Sequence, residues 1–171
     1  MAMGTEIEDL TRSIADDVIE AAQRELGGYR TVNGKKRRSV ASGNLKNSLN
    51  YSFSKRYNNP VLSFSASGKA GEYLRYVTEG RRKGAKMPPL EPIMEWMRIK
   101  PIRLKSKSGA FIKNTPEAFK AAAFNIARSI SKKGIEPFPF YGNAIESVLD
   151  KRGKEYEEAI KKEIEFRLQL K

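Results

Sequence analysis

The apolar positions Ile7, Leu10, Ile14, Val18, Ala22 and Leu26 step by three and four residues, the spacing of one helix face. Thr5 stands where a cap belongs, and Gly27-Gly28 where the chain would leave the helix. The pattern predicts a helix over about 6–26 whose opposite face is mostly acidic. It favours an amphipathic helix lying on a surface, with a helix between subunits as the alternative. The next stretch, YRTVNGKKRRSVASG (29–43), holds five bases and few apolar residues, which fits a loop or a wide hairpin turning at Asn33-Gly34. SGNLKNSL then has the form of a helix start with Ser42 as its cap. From Leu49 the period becomes two. Leu49, Tyr51 and Phe53 alternate with polar residues, Asn58-Asn59-Pro60 supplies a turn, and Leu62, Phe64 and Ala66 alternate on the return. That is a β-hairpin signature.

The second half of the chain returns to helical spacing. GEYLRYVTEG reads as a short helical or extended segment ended by Gly80. The prolines of KMPPLEP lead into a helix with Leu90, Ile93, Met94 and Met97 on one face and Pro101 as its stop. Trp96 flanks that face as a core or interface anchor. IRLKSKSGAFIKN is polar and basic, a second hairpin or a flexible connection. Thr115-Pro116-Glu117 opens the strongest predicted helix, whose stripe is Phe119, Ala122, Ala123, Ile126, Ala127 and Ile130, with Gly134 closing it. EPFPFYGNAIESVL makes an aromatic corner with Phe138 and Phe140. A last helix from about Asn143 to Leu170 carries Ile145, Leu149, Tyr156, Ile160, Ile164 and Leu168, with Gly153 as a bend. At 1.5 Å per residue it is about 40 Å long, more than a domain of this size covers, so part of it is expected to pack on another chain.

Charge changes the picture most. The 171 residues carry a formal net charge of +13. Residues 1–26 hold seven acids and two bases, leaving 31 bases against 13 acids for the remainder. Such asymmetry suits charged partners, either nucleic acid or an acidic protein surface. Apolar residues are 39% of the chain, thin for a self-sufficient core.

Cysteine and histidine are both absent, which removes thiol and imidazole chemistry and the commonest metal ligands. Neither GxxxxGK[ST] nor GxGxxG occurs, so GRRKGAK reads as a cationic turn rather than a phosphate loop. The carboxylates of EYEEAIKKE have the spacing of an exposed helix face with Glu157–Lys161 and Glu158–Lys162 pairs, not of a nuclease site. MAMGTEIEDL lacks the basic and apolar regions of a signal peptide. No apolar run approaches the roughly 20 residues of a membrane span, so the reading is a soluble protein with no membrane partner.

Three stretches in order, SGNLKNSL, YLRYVTEGRRKGAKMPPLEPIMEWMRIK and AFNIARSISKKGIEPFPFYGNAI, resemble the neck or tail-completion proteins (minor tail components) of tailed double-stranded-DNA bacteriophages. The match spans roughly residues 42–149. It departs from the family pattern at Tyr141, where an aliphatic residue usually follows the PF pair. The resemblance implies a structural virion protein with no enzymatic activity, cofactor or metal, assembled in the bacterial host cytoplasm. Its implied partners are further copies in a cyclic ring at the head-to-tail junction, portal or head-completion proteins, tail proteins, and double-stranded DNA in the lumen. The alternative is a basic nucleic-acid-binding protein without enzymatic activity.

The expected fold is α+β: an antiparallel hairpin or small sheet packed by a central helix, the one bearing Ile126 and Ile130, with long N- and C-terminal helices. The expected divisions are an acidic helix (1–28), an α+β body (29–142) and a long C-terminal helix (143–171). Candidate interface residues are Ile7, Leu10, Ile14, Val18, Trp96, Phe138, Phe140, Tyr156, Ile160 and Ile164. Candidate contacts to DNA or an acidic partner are Lys35, Lys36, Arg37, Arg38, Arg81, Arg82, Lys83 and Lys86. The acidic first helix is expected to dock on a basic surface of a neighbouring subunit.

Overall fold

The computed structural model describes residues 3–32, 34–38, 43–57, 59–100, 102–106 and 108–169. The elements run α1 (Met3–Gly27), β1 (Tyr29–Val32), β2 (Lys35–Arg38), α2 (Asn44–Ser48), β3 (Leu49–Arg56), β4 (Asn59–Ala66), α3 (Lys69–Thr78), α4 (Leu90–Ile99), α5 (Pro116–Lys133) and α6 (Phe140–Gln169). Two antiparallel pairs, β1–β2 and β3–β4, stand among long helices, so the fold is α+β with a small sheet and long terminal helices. Among the described residues no helix is long and apolar enough to cross a membrane.

The chain forms two compact units. Unit 1 comprises Met1–Gly28, Asn44–Leu74 and Pro139–Lys171; unit 2 comprises Tyr29–Gly43 and Arg75–Phe138. Residues 44–74 group with the terminal helices, so the expected 29–142 body is divided between the units.

In unit 1, α1 packs antiparallel on α6. Arg152 Nη1 donates to Ser13 Oγ at 2.9 Å and to Asp17 Oδ2 at 2.5 Å, and one turn further along α6 Tyr156 Oη lies 3.4 Å from Thr11 Oγ1. Ala15 and Ala22 on α1 and Ala144 on α6 are buried, and their small side chains let the two backbones approach closely. Ile14, Val18 and Leu26 fill in from α1, and Phe140, Tyr141 and Val148 from α6. The hairpin β3–β4 lies against the same helices. Arg12 of α1 sits 4.2 Å over the Phe53 ring, and Phe64, paired with Tyr51 across the strands, lies 5.5 Å from Tyr141.

The helix that covers the hairpin is therefore α1, helped by the start of α6. The expected packing of the Ile126/Ile130 helix on the hairpin is corrected: α5 finds its partner in α4. The physical reason is that α1 offers a stripe of alanines and branched residues at the same spacing, and α5's alanines suit a helical neighbour better than a twisted sheet. The hairpin turn also shifts. Arg56 pairs with Asn59 and Lys55 with Pro60, so Asn59 and Pro60 belong to the strand; Tyr57 stands at the turn with φ 51°, and Asn58 lies outside the described residues. Both strands of a two-stranded sheet are edges, where the donor that Pro60 lacks is tolerated.

Tyr141 is what ties α6 to the hairpin. Its hydroxyl donates to Ser65 O at 2.6 Å, and burial pushes its pKa up to about 12, against the opposing effect of a backbone hydrogen bond with Asn50. A folded-state pKa above the unfolded value near 10 means this contribution is complete below pH 10 and is lost as pH rises towards 12. Tyr141→Phe is expected to cost about 1 kcal/mol at neutral pH and to remove that part of the alkaline destabilisation. Urea denaturation of both proteins between pH 8 and 12 reads this directly: the gap between them should narrow above pH 10.

In unit 2, α4 and α5 pack through Ile93 and Met97 against Ala123 and Ala127, with Phe119, Ile126 and Ile130 around them. Thr115 caps α5 by accepting from Ala118 N at 3.2 Å, Pro116 occupies the first turn, and Gly134 closes the helix, as the sequence predicts. Leu104 joins this core, which the polar reading of IRLKSKSGAFIKN missed. Residues 104–106 and 110–112 pair as the arms of a narrow hairpin, in which Ile112 N donates to Leu104 O at 3.1 Å and Ser106 N to Ala110 O at 2.8 Å. The signal was the alternation of Ile102 with Leu104 among the bases. Ser42 and Pro101, expected as a cap and a stop, and Asn33 of the first turn lie outside the described residues.

Candidate functional site

Unit 2 brings together two basic clusters that are fifty residues apart in sequence. The 81–86 loop is laid along the C-terminal end of α5 by backbone pairing. Arg81 and Ile135 exchange two N–H···O bonds of 2.9 Å, Gly84 N donates to Ser131 O at 2.8 Å, and Ser131 Oγ donates to Ala85 O at 2.5 Å. Two glycines make the approach possible. A Cβ on Gly80 (φ 71°) would collide with Ile135 O, and one on Gly134 (φ 75°) with Arg81 O.

The result is a fixed platform. Arg82, Lys83 and Lys86 of the loop and Arg128, Lys132 and Lys133 of α5 are all exposed. The cations at the end of α5 also complement the negative pole of the helix. Arg81 is a different kind of residue. Its Nη2 donates to Lys86 O and its guanidinium lies 5.7 Å from the Tyr76 ring, so it holds the loop in shape rather than facing a partner. Lys36 is exposed on β2, and the side chains of Lys35, Arg37 and Arg38 lie outside the described residues. The sequence identified the loop bases; it did not show that Arg128, Lys132 and Lys133 join them.

The candidate interface residues divide in two. Ile14, Val18 and Phe140 are buried inside unit 1 and are core, a correction to their expected role at an interface. The reason is that α6 supplies within the same chain the apolar partner that α1 was expected to find elsewhere. Ile7, Leu10 and Tyr156 are half-buried at the α1–α6 seam, and Phe138 is half-buried beneath the Arg30 guanidinium at 4.8 Å. Trp96 is 38% exposed, off the buried face of α4.

On α6, Ile160 is 37%, Ile164 52% and Leu168 67% exposed. Ile160, Ile164 and Leu168 continue in i+4 steps the row of Arg152 and Tyr156 and become progressively more exposed towards the end of α6, and Leu149 is exposed as well. The contacts of Arg152 and Tyr156 set the register of the helix pair, and by it α6 extends past the start of α1 over its last residues.

Three of the seven acids of α1 form ion pairs within unit 1: Glu8 with Lys55, Asp17 with Arg152, and Glu20 with Arg24 at 3.3 Å. Hydrogen bonds from Arg152 hold the Glu155 carboxyl below the usual range, and Glu155 and Asp17 together raise the pKa of Arg152. The expected docking of α1 on a neighbour's bases thus competes with partners in its own chain.

Comparison of the chain with family models, curated proteins and solved structures gives no match. Among the described residues no group of three or more acidic side chains is placed to hold a metal ion. The two surfaces that stand out are therefore one of charge on unit 2 and one of apolar side chains on α6.

Proposed function

We propose that the protein is a structural virion subunit of a tailed double-stranded-DNA phage, a member of the neck or tail-completion ring around the DNA channel. The observation that carries this reading is the run of exposed apolar side chains in the last turns of α6. A helix of 30 residues spans about 45 Å and buries one stripe in its own unit while Leu149, Ile160, Ile164 and Leu168 remain open. Grouped apolar side chains left exposed on a helix mark a surface that a partner covers.

The occupant that fits this run is another copy of this chain. The run is flanked by both signs of charge, Glu157, Lys161, Lys162 and Glu165, which suits a partner of the same mixed composition. A contact between α6 and a different face of the next copy repeats head to tail and closes into a cyclic ring. The ordered resemblance over residues 42–149 supplies the biological setting.

The test is native mass spectrometry and particle imaging of the purified protein, with and without Ile160→Glu and Ile164→Glu together. The unaltered chain is expected to form a closed ring. The double variant should associate at least about a hundredfold more weakly, because each buried unpaired carboxylate opposes the contact. Its circular dichroism melt should stay near that of the parent. A parent protein that remains monomeric at tens of micromolar and beside candidate neighbour proteins would refute the reading.

A further inference from the structure

The two units differ sharply in charge. Unit 2 holds 20 Lys and Arg against 5 Asp and Glu, a net of +15, whereas unit 1 holds 13 bases against 15 acids, a net of −2. The whole positive excess of the chain therefore belongs to one unit, a division invisible along the sequence because each unit is built from separated segments.

We propose that unit 2 is a duplex-DNA phosphate-binding unit, with Arg82, Lys83, Lys86, Arg128, Lys132 and Lys133 as its contact platform. This goes beyond the assembly reading and stands on the charge division and the pinned loop alone.

Three features select this partner. First, the platform is built before any ligand arrives. The 81–86 loop is held to α5 by the Arg81–Ile135 and Gly84–Ser131 bonds, so its cations are presented from a fixed backbone with little ordering left to do on binding. Second, four of the six side chains are lysines, which are depleted in protein–protein interfaces and well suited to phosphate as flexible point charges. Third, no aromatic residue occurs in 81–86 or 128–133, so stacking of unpaired bases has no basis there. Evenly spaced phosphate charge on a duplex, contacted without base readout, is what this chemistry fits. Glu79 and Glu136 are the acids nearest the platform in sequence, each three residues from it, and Glu79 is held by Arg75 at 2.8 Å across one helical turn.

The discriminating experiment compares two charge reversals of equal size. One replaces Lys83 and Lys132 with Glu on unit 2; the other replaces Lys151 and Lys154 with Glu on unit 1, where both are exposed. Fluorescence anisotropy with a random-sequence 30-base-pair duplex is read from 50 to 300 mM salt, and mass is monitored in parallel.

The parent is expected to bind with an affinity that falls steeply with salt and does not depend on sequence. Lys83→Glu/Lys132→Glu should weaken binding at least about tenfold and flatten the log–log salt slope by about 0.9 for each phosphate no longer neutralised. Lys151→Glu/Lys154→Glu should change affinity less than about twofold. Lys83→Gln/Lys132→Gln, which removes the two charges without reversing them, should give an intermediate loss.

Equal losses from both reversals would overturn the proposal, as would no binding by the parent at 50 mM salt. Displacement of the duplex by polyglutamate at equal charge concentration would overturn it in favour of an acidic protein partner. None of these results bears on ring formation, which the mass measurement reads independently.

Discussion

Gly134→Ala is expected to disable unit 2. Gly134 sits at φ 75° and ψ −171°, a backbone region that is essentially restricted to glycine and costs other residues about 1–3 kcal/mol. The added methyl would also press into Arg81 O and against Lys83 N at 3.0 Å, both backbone atoms of the loop that the pairing fixes. Relief requires breaking the Arg81–Ile135 bonds. The combined loss is expected to be about 3 kcal/mol or more, a large share of the 5–15 kcal/mol that stabilises an ordinary domain. Hydrogen exchange should show the amides of Arg81, Gly84 and Ile135 losing protection first. Gly84→Ala is the matched control. It shares a positive φ, 80°, but its Cβ would meet nothing within 4 Å, so the loss there should be confined to the conformational term of about 1 kcal/mol.

Phe140→Ala is expected to be as damaging in unit 1. Phe140 is fully buried where α6 begins, its ring 4.7 Å from Tyr141, which in turn reaches the hairpin. Removing a buried phenyl group typically costs about 3–5 kcal/mol, from lost transfer energy and from the cavity left behind. The variant should melt well below the parent and bind a hydrophobic dye at temperatures where the parent does not. Phe140→Leu, which keeps most of the volume, should recover more than half of the loss. An exposed interface role for Phe140 would give the reverse pattern: an unchanged melt and weaker association.

Local structure was legible wherever a side chain or dihedral decides it alone. Thr115, Pro116 and Gly134 mark the ends of α5 because a cap, a fixed φ and a positive φ are properties of single residues. The alternation of Leu49–Phe53 and Leu62–Ala66 gives the hairpin for a similar reason. What covers the hairpin was not legible. The stripes of α1 and α5 have the same spacing and similar residues, and a stripe says that a face is buried without saying against what.

The same ambiguity placed Ile14 and Val18 at a subunit contact when α6 buries them. Tyr141 stood out in sequence only as a departure from a pattern, yet its hydroxyl joins two elements 76 residues apart. The basic platform was half legible. The 81–86 bases are adjacent in the chain, whereas Lys132 and Lys133 reach them only through two glycine-dependent backbone contacts.

The nesting of the units has a consequence for synthesis. α1 leaves the ribosome well ahead of α6, the helix that buries Ala15, Val18 and Ala22. At synthesis rates of about 5–20 residues per second, the roughly 110 residues between them keep the apolar face of α1 without its partner for about 5–20 seconds. Unit 2, whose segments all lie inside that interval, has its full sequence available earlier. The apolar run that would recruit another copy lies on the same late helix. A nascent chain therefore cannot present that surface before both units have most of their sequence, which orders folding ahead of assembly without any separate chaperoning signal.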